Sequence, residues 1–195
     1  MLGLLLALWP RKSADWGGDG WVFPVGDISS SWVGSGGIGV ARITNGFDAA
    51  KHRGVDIMYY GAFPSPAGRG MGGGTQSRYF APRGTPVFAA SAGTIWSTGL
   101  TPRGWNVVID HGKVATFYQH LAEQPLLAKG DRVQAGQQIG VMGVDPLDAE
   151  HVRHLHFELW QGGPDAAIDP APKMAAWPHP AWDAGDQADW DISAP

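Results

Sequence analysis

The sequence contains no cysteine, so disulfide bonds and thiolate metal sites are both excluded. Any metal ion must therefore be held by histidine and carboxylate side chains. Charged residues make up only 16% of the 195 residues, and the formal net charge is -4. No basic stripe with interleaved aromatic residues is present in the sequence, which argues against a nucleic-acid-binding protein.

Long apolar runs and long helical patterns are also lacking. The apolar stretch at residues 1–9 is too short to span a bilayer. Arg11 and Lys12 follow this stretch, whereas a standard signal peptide carries its positive charge in front. We interpret residues 1–20 as an apolar N-terminal segment and linker. This segment is expected either to pack on its own domain or to dock onto a partner or membrane surface.

Glycine and proline are abundant, with 29 and 15 residues. Short β-branched and aromatic runs alternate with Gly, Pro or Asp-His-Gly turns, which predicts an antiparallel all-β domain of about 150 residues. The predicted strands lie within residues 21–25, 85–91, 93–99, 106–110, 114–121, 131–143 and 154–160.

Two segments depart from this rhythm. Residues 58–80 are rich in glycine and proline and are interpreted as a long loop, a feature that is often functional in compact domains. Residues 175–195 form a tail rich in Pro, Ala and Asp, yet the tail carries Trp177, Trp182 and Trp190. Because disordered segments are poor in large aromatics, the tail is expected to dock onto a partner or to fold back on the domain.

Two histidines, His154 and His156, lie one residue apart in an apolar run that is typical of a buried strand. Alternate strand residues point to one face, so both imidazoles project to the same side, about 7 Å apart. The intervening and following residues Leu155, Phe157 and Leu159 project to the other side, toward a core. Two imidazoles so placed are suited to share one site.

Two further segments carry ionisable groups that could meet this pair. "KHRGVDI" places His52 and Asp56 four residues apart, and a turn at Gly54 would bring them together. "TFYQHL" places His120 at the end of an apolar strand, where a polar ring needs a partner. Together the segments offer three nitrogen or oxygen ligands and two spare imidazoles. Catalytic zinc sites have three protein ligands and one open position, and the spare imidazoles would act as general base and charge stabiliser.

"KHRGVDI", "YQHL" and "RHLHFEL", in this order, resemble the lysostaphin-like (LytM-type) zinc metallopeptidases. The resemblance extends to "APRGTPVFAASAGTI", "NVVIDHGKVATFYQHL", "LLAKGDRVQAGQQIGVMG" and "GGPDAAIDPAPKM". It covers residues 21–174, with residues 175–195 as a C-terminal extension. The resemblance implies an all-β, distorted antiparallel β-sandwich of the duplicated-hybrid-motif kind, with the metal site in a groove.

The resemblance also implies roles for particular residues. His52, Asp56 and His156 would bind one zinc ion. His154 would assist the attacking water, and His120 would stabilise the oxyanion. Members of the family cleave peptide bonds of bacterial peptidoglycan, whereas some relatives have lost ligands and only activate other wall enzymes. All five positions are kept in this chain, which favours activity.

Two features depart from the family pattern. The 58–80 segment is an insertion that is expected to lie beside the groove, where it would shape substrate choice or cover the site. Residues 144–153, "VDPLDAEHVR", replace a small glycine-containing turn and add His151, which we interpret as a loop residue and not as a ligand. His111, in an Asp-His-Gly turn, is interpreted as structural.

The sequence therefore predicts a zinc-dependent endopeptidase that hydrolyses peptide cross-links of peptidoglycan outside the cytoplasm. The alternative is a zinc-bound but inactive scaffold or activator, and a third interpretation is a purely structural β module without metal. A phage virion tail tip is the favoured setting, with a periplasmic or envelope location as the alternative. In either setting, the N-terminal segment and the Trp-rich tail would contact a phage tail or envelope complex.

Overall fold

Thirteen strands and one four-residue helix form the regular structure of residues 20–29, 39–64, 75–148, 152–163 and 166–183, which the computed structural model describes. The elements, in chain order, are β1 (Asp27–Ser29), β2 (Ala41–Asn45), β3 (Val55–Pro64), β4 (Thr75–Phe80), β5 (Pro86–Phe88), β6 (Gly93–Thr101), β7 (Gly104–Asp110), β8 (Ala115–Leu121), β9 (Arg132–Val133), β10 (Gln138–Val141), β11 (Leu155–Trp160), β12 (Ala167–Ile168), α1 (Ala171–Met174) and β13 (Ala181–Asp183).

A nine-stranded antiparallel sheet dominates the molecule. Its main path runs β2-β3-β11-β8-β7-β6-β9, with β12 paired to β11 and β4 paired to β3. β5 and β10 form a second, two-stranded antiparallel sheet. The predicted all-β antiparallel fold class is thereby confirmed. Within the described ranges, no helix has the length and apolar character needed to cross a membrane.

Strand alternation divides β11, all of whose residues are buried, into a core face and an opposite face that carries His156. Leu155, Phe157 and Leu159 are almost completely buried, and Phe157 packs edge-on against Tyr118 of β8 with ring centroids 5.3 Å apart. β11 lies between β3 and β8 in the sheet. The His156 face of β11 is consequently held in the centre of the sheet, where neighbouring strands contribute further side chains.

The sequence predicts a long loop over residues 58–80, but the structure shows strands at both ends of this segment. β3 continues to Pro64 and β4 begins at Thr75, and the two strands pair from Tyr59↔Phe80 to Pro64↔Thr75. Glycine and proline near the middle of the segment obscured the extended runs on either side of it. Residues 65–74, between the two strands, lie outside the described residues.

Residues 21–25, predicted to be a strand, make backbone hydrogen bonds to Ala90 and Pro178 but form only an isolated bridge, between Val25 and Val87. Proline at position 24 has no N–H to donate to a ladder, which explains why regular pairing does not extend through the segment. The first strand begins two residues later, at Asp27.

The first part of the C-terminal tail folds back on the domain. Trp177 stacks on Trp21 with ring centroids 4.9 Å apart, and β13 pairs in parallel with β1 from Asp27↔Ala181 to Ser29↔Asp183. Both predicted terminal segments extend beyond this, and their residues 1–19 and 184–195 lie outside the described residues.

Candidate metal centre and active site

Two adjacent strands and the turn before them bring His52, Asp56 and His156 together. His52 lies in a turn closed by backbone hydrogen bonds in both directions with Asp48, of 2.7 and 2.8 Å. Asp56 follows at the start of β3 and is directly opposite His156 in the register of β3 with β11. The turn brings His52 close to Asp56, and the strand pairing brings His156, which is distant in sequence, close to both.

The three ligand atoms of this cluster lie within 4.8 Å of one another. His52 Nε2 lies 3.0 Å from Asp56 Oδ1 and 3.0 Å from His156 Nδ1, and His156 Nδ1 lies 3.1 Å from Asp56 Oδ1. The structure therefore brings together the three residues predicted to bind a metal. Their role as zinc ligands stays a prediction.

Hydrogen bonds on the outer side of each ring indicate which nitrogen carries the proton. His52 Nδ1 donates to the carbonyl oxygen of Gly46 at 2.7 Å, and His156 Nε2 donates to Glu158 Oε1 at 3.0 Å. In the neutral rings, Nε2 of His52 and Nδ1 of His156 are then acceptors. When His156 gives up its Nδ1 proton, two imidazole lone pairs and the carboxylate of Asp56 face one another, an arrangement that suits a bound cation.

The shifted pKa values of Asp56 and His156 also indicate a site that favours positive charge. Burial alone would raise the pKa of Asp56, but the hydrogen bond from His156 and the neighbouring imidazoles hold it well below its usual range. Burial alone would lower the pKa of His156, but hydrogen bonds to Asp56 and Glu158 outweigh it and raise this pKa to about 9. Two histidines and one carboxylate are a donor set that zinc uses in catalytic sites.

Glu158 is a residue of this site that the sequence interpretation missed. It is buried, and its two carboxylate oxygens accept from His156 Nε2 at 3.0 Å and from Trp160 Nε1 at 2.6 Å. Metal-binding histidines usually donate their outer N–H to a carboxylate of this kind, which fixes the tautomer and the ring orientation. The sequence signal was available, because Glu158 is two residues after His156 and therefore on the same face of the strand.

His154 and His120 lie beside the cluster. His154 Nε2 is 3.9 Å from Asp56 Oδ1, and the ring centroids of His120 and His154 are 4.6 Å apart. Each Nδ1 donates to a backbone carbonyl, that of Val152 at 2.9 Å for His154 and that of Arg103 at 2.7 Å for His120. In the neutral form of either ring, Nε2 is therefore unprotonated.

The backbone at His120 holds a left-handed conformation, with φ of 64°. Such a conformation is uncommon for a residue other than glycine and is frequent at functional sites. Burial, followed by the neighbouring His154, lowers the pKa of His120 to about 4. The ring is consequently neutral at neutral pH, and the predicted role of oxyanion donor would require it to gain a proton during the reaction.

His111 is not part of this cluster. His111 Nδ1 donates to the carbonyl of Ala92 at 2.8 Å, and its Nε2 is 2.8 Å from Thr116 Oγ1. The ring also packs against Trp21, with centroids 4.9 Å apart. These contacts support the structural interpretation of His111. His151 lies outside the described residues.

Residues 75–170 match peptidase family M23. The chain contains a peptidase family M23 domain. The predicted relationship to LytM and lysostaphin-type enzymes is thereby confirmed. His120, His154 and His156 lie in the matched residues, whereas His52 and Asp56 precede them. The pairing of β3 with β11 is what joins the two parts of the candidate M23 site.

Two curated proteins are similar to part of this chain. An uncharacterised lipoprotein of Escherichia coli, YgeR, is 41% identical over 93 residues, covering 46% of this chain and 35% of the relative. The peptidoglycan DD-endopeptidase ShyA of Vibrio cholerae is 40% identical over 82 residues, covering 40% of this chain and 18% of the relative. The chain thus matches only about a third or less of each relative's length.

A solved structure with a similar fold is that of the lytM protein from Ruminococcus gnavus. It is 20% identical, with a TM-score of 0.59, and the match covers 85% of this chain and 64% of that chain. At this level of identity the likeness shows the fold alone. The M23 assignment therefore rests on the family match, and the all-β architecture agrees with it.

Proposed function

We propose that the chain is a zinc-dependent endopeptidase that hydrolyses peptide cross-links of bacterial peptidoglycan. The observation that carries the proposal is the convergence of the acceptor atoms of His52, Asp56 and His156 beside two further imidazoles. The M23 match and the similarity to a peptidoglycan DD-endopeptidase support the substrate class.

His52, Asp56 and His156 would hold the metal ion. Zinc in such a site polarises a peptide carbonyl and lowers the pKa of water. His156 would be kept in orientation by Glu158, so that its Nδ1 faces Asp56 and its Nε2 faces away. Although burial alone would raise the pKa of Asp56, the hydrogen bond from His156 and the neighbouring imidazoles lower it and keep the carboxylate ionised at neutral pH.

His154 and His120 would move the protons. The unprotonated Nε2 of His154 would accept a proton from water as the water oxygen attacks the peptide carbonyl carbon. The imidazolium formed in this way stabilises the negative charge on the carbonyl oxygen and then donates its proton to the leaving amine as the C–N bond breaks. The ring centroids of His154 and His120 are 4.6 Å apart, so both rings would lie beside the same reacting carbonyl group.

The test is fragment release from purified peptidoglycan sacculi, with and without a chelator, followed by zinc add-back. We expect release that the chelator abolishes and zinc restores, and the new termini identify the bond. Bound zinc without cleavage of several wall types would contradict the proposal and favour the inactive scaffold or activator. The retention of all five predicted positions favours an active enzyme.

The proposed site of action is outside the cytoplasm, where the substrate lies. The phage virion tail tip stays the favoured setting and the cell envelope the alternative. Trp177 is half-buried and stacked on Trp21, and Trp182 packs against the core, so these two tryptophans follow the fold-back alternative of the sequence prediction. Detection in purified virions or in envelope fractions by mass spectrometry distinguishes the two settings.

A further inference from the structure

A cavity of about 210 Å³ lies apart from the candidate metal centre, at the other end of β11. Its lining includes Trp96, Asp110, Lys113 and Trp160. Trp160 is four residues beyond His156 on β11, so both side chains project to the same face. In the ladder, Trp160 is opposite Ala115, and Ala115 is opposite Asp110. The cavity and the metal centre therefore share one surface of the sheet.

Aromatic rings connect the two sites. Phe117 lies between them, with its centroid 6.4 Å from that of His156 and 5.3 Å from that of Trp160, on which it stacks. Trp96 then meets Trp160 edge-on at 6.5 Å. Four strand residues span about 13 Å, which is also the reach of about four residues of an extended peptide. A peptide of that length, bound over the rings of His156, Phe117 and Trp160, would place the group attached to its end in the cavity.

Trp96 is aimed into this cavity by a β-bulge. The register of β6 with β7 shifts between Ile95 and Ser97, so Trp96 is the extra residue. Bulges re-aim side chains and are frequent beside binding sites. Trp96 is 45% exposed, an unusual position for so large an apolar residue, and Asp110 and Lys113 line the same cavity.

We propose that this cavity binds a sugar ring of the peptidoglycan glycan strand, at the point where the stem peptide is attached. A pyranose ring has an apolar face that suits an indole and a rim of hydroxyl and amide groups that suits a carboxylate and an ammonium. The inference rests on the proposed function, because it takes the peptide in the groove to be a peptidoglycan stem. It adds a glycan subsite to the peptidase site.

The kinetic test compares two substrates: a cross-linked muropeptide dimer that carries its sugars, and the same dimer after the sugars have been removed. For the wild type we expect KM to be about tenfold lower for the sugar-bearing dimer, equivalent to about 1.4 kcal/mol. Trp96→Ala should bring the ratio of the two KM values close to one. Leu100→Ala is the matched control, since Leu100 is on the same strand, is 64% exposed and does not line the cavity.

A KM ratio near one in the wild type would overturn the glycan subsite while leaving the endopeptidase proposal intact. An equal rise in both KM values in Trp96→Ala would also overturn it, because the cavity would then take peptide. A binding measurement is independent of cleavage: the zinc-loaded protein is titrated with the disaccharide of N-acetylglucosamine and N-acetylmuramic acid, observed by ligand NMR. Binding that Trp96→Ala weakens supports the subsite even if no wall is cleaved, and no binding by the wild type rejects it.

Discussion

Glu158 accepts hydrogen bonds from His156 on one carboxylate oxygen and from Trp160 on the other. Both donors are ring N–H groups in buried positions, so the carboxylate is fixed by a neighbour on either side of it along the strand. Only a side chain with two acceptor oxygens satisfies both rings at once. This relationship ties the orientation of a predicted metal ligand to an aromatic residue that does not touch the metal centre.

Glu158→Gln should weaken zinc binding about tenfold or more, the range found when such outer carboxylates are changed. Glutamine has one acceptor oxygen, so its NH₂ group must face either His156 or Trp160 and meet another donor. Competition with a chromophoric chelator measures the affinity without reference to activity. Glu123→Gln, at an exposed position, is the charge-matched control. Equal affinities for both variants would show that Glu158 does not position His156.

His156→Ala and His154→Ala should separate metal binding from catalysis. We expect His156→Ala to lose bound zinc, because it removes one of three ligand atoms. His154→Ala should retain zinc and lose activity by roughly 10²- to 10⁴-fold, the range for a general acid or base. Metal content by mass spectrometry and fragment release from sacculi check the two properties. A zinc-free His154→Ala protein would contradict this division of roles.

Gly54→Ala should destabilise the protein and weaken zinc binding together. A Cβ at this position would crowd the carbonyl oxygen of Phe157 and lie 3.0 Å from His156 Nε2, and crowding of this kind costs roughly 1–3 kcal/mol of unfolding free energy. Denaturant unfolding and chelator competition measure the two effects.

Gly46→Ala is the control for this glycine substitution. A Cβ on Gly46 would have no atom within 4 Å, and its carbonyl, which accepts from His52, would be retained. We expect both measured values to stay close to those of the wild type. A Gly46→Ala effect as large as that of Gly54→Ala would mean that the strand contact is not the reason for glycine at position 54.

His111 should make stability fall as the solution becomes acidic. Burial lowers the pKa of His111 below its ordinary value of 6.5, so the unfolded chain takes up this proton at a higher pH than the folded protein does. The contribution is complete above the ordinary pKa and is lost progressively as the pH falls toward the folded value. The unfolding free energy of zinc-saturated His111→Asn should therefore fall less than that of the wild type between pH 7 and pH 5. Parallel pH profiles would contradict the prediction.

The sequence predicted the fold class and the relationship to M23 peptidases because both depend on local patterns. Alternation on β11 identified Leu155 and Phe157 as core residues and placed two histidines on one face. The sequence predicts the turn between His52 and Asp56 from the conformational freedom of Gly54, but the structure gives a different reason for glycine at this position. Gly54 does not have a positive φ, and what requires glycine there is the close approach of β11, a long-range contact that local sequence cannot reveal.

Other features were missed because composition outweighed pairing. Glycine and proline in residues 58–80 indicated a loop, yet β3 and β4 pair along their length. The sequence predicts that Trp177 either anchors a partner or folds back on the domain, and only the structure shows that its ring stacks on that of Trp21. Glu158 was passed over because a lone glutamate in a strand has no distinctive pattern until the direction of the neighbouring ring nitrogen is known. The assignment of zinc ligands stays a prediction that the metal-binding experiments address.

The parallel pairing of β1 with β13 has a mechanical consequence. A pull that separates the two ends of the described domain acts along these strands in opposite directions, so the hydrogen bonds from Asp27↔Ala181 to Ser29↔Asp183 are loaded together in shear. β3, β8 and β11, which carry the candidate catalytic side chains, belong to a different sheet. When the described domain is pulled from both ends, the force would thus act first on the short β1–β13 pair, and the sheet that carries the candidate site would keep its geometry until that pair separates.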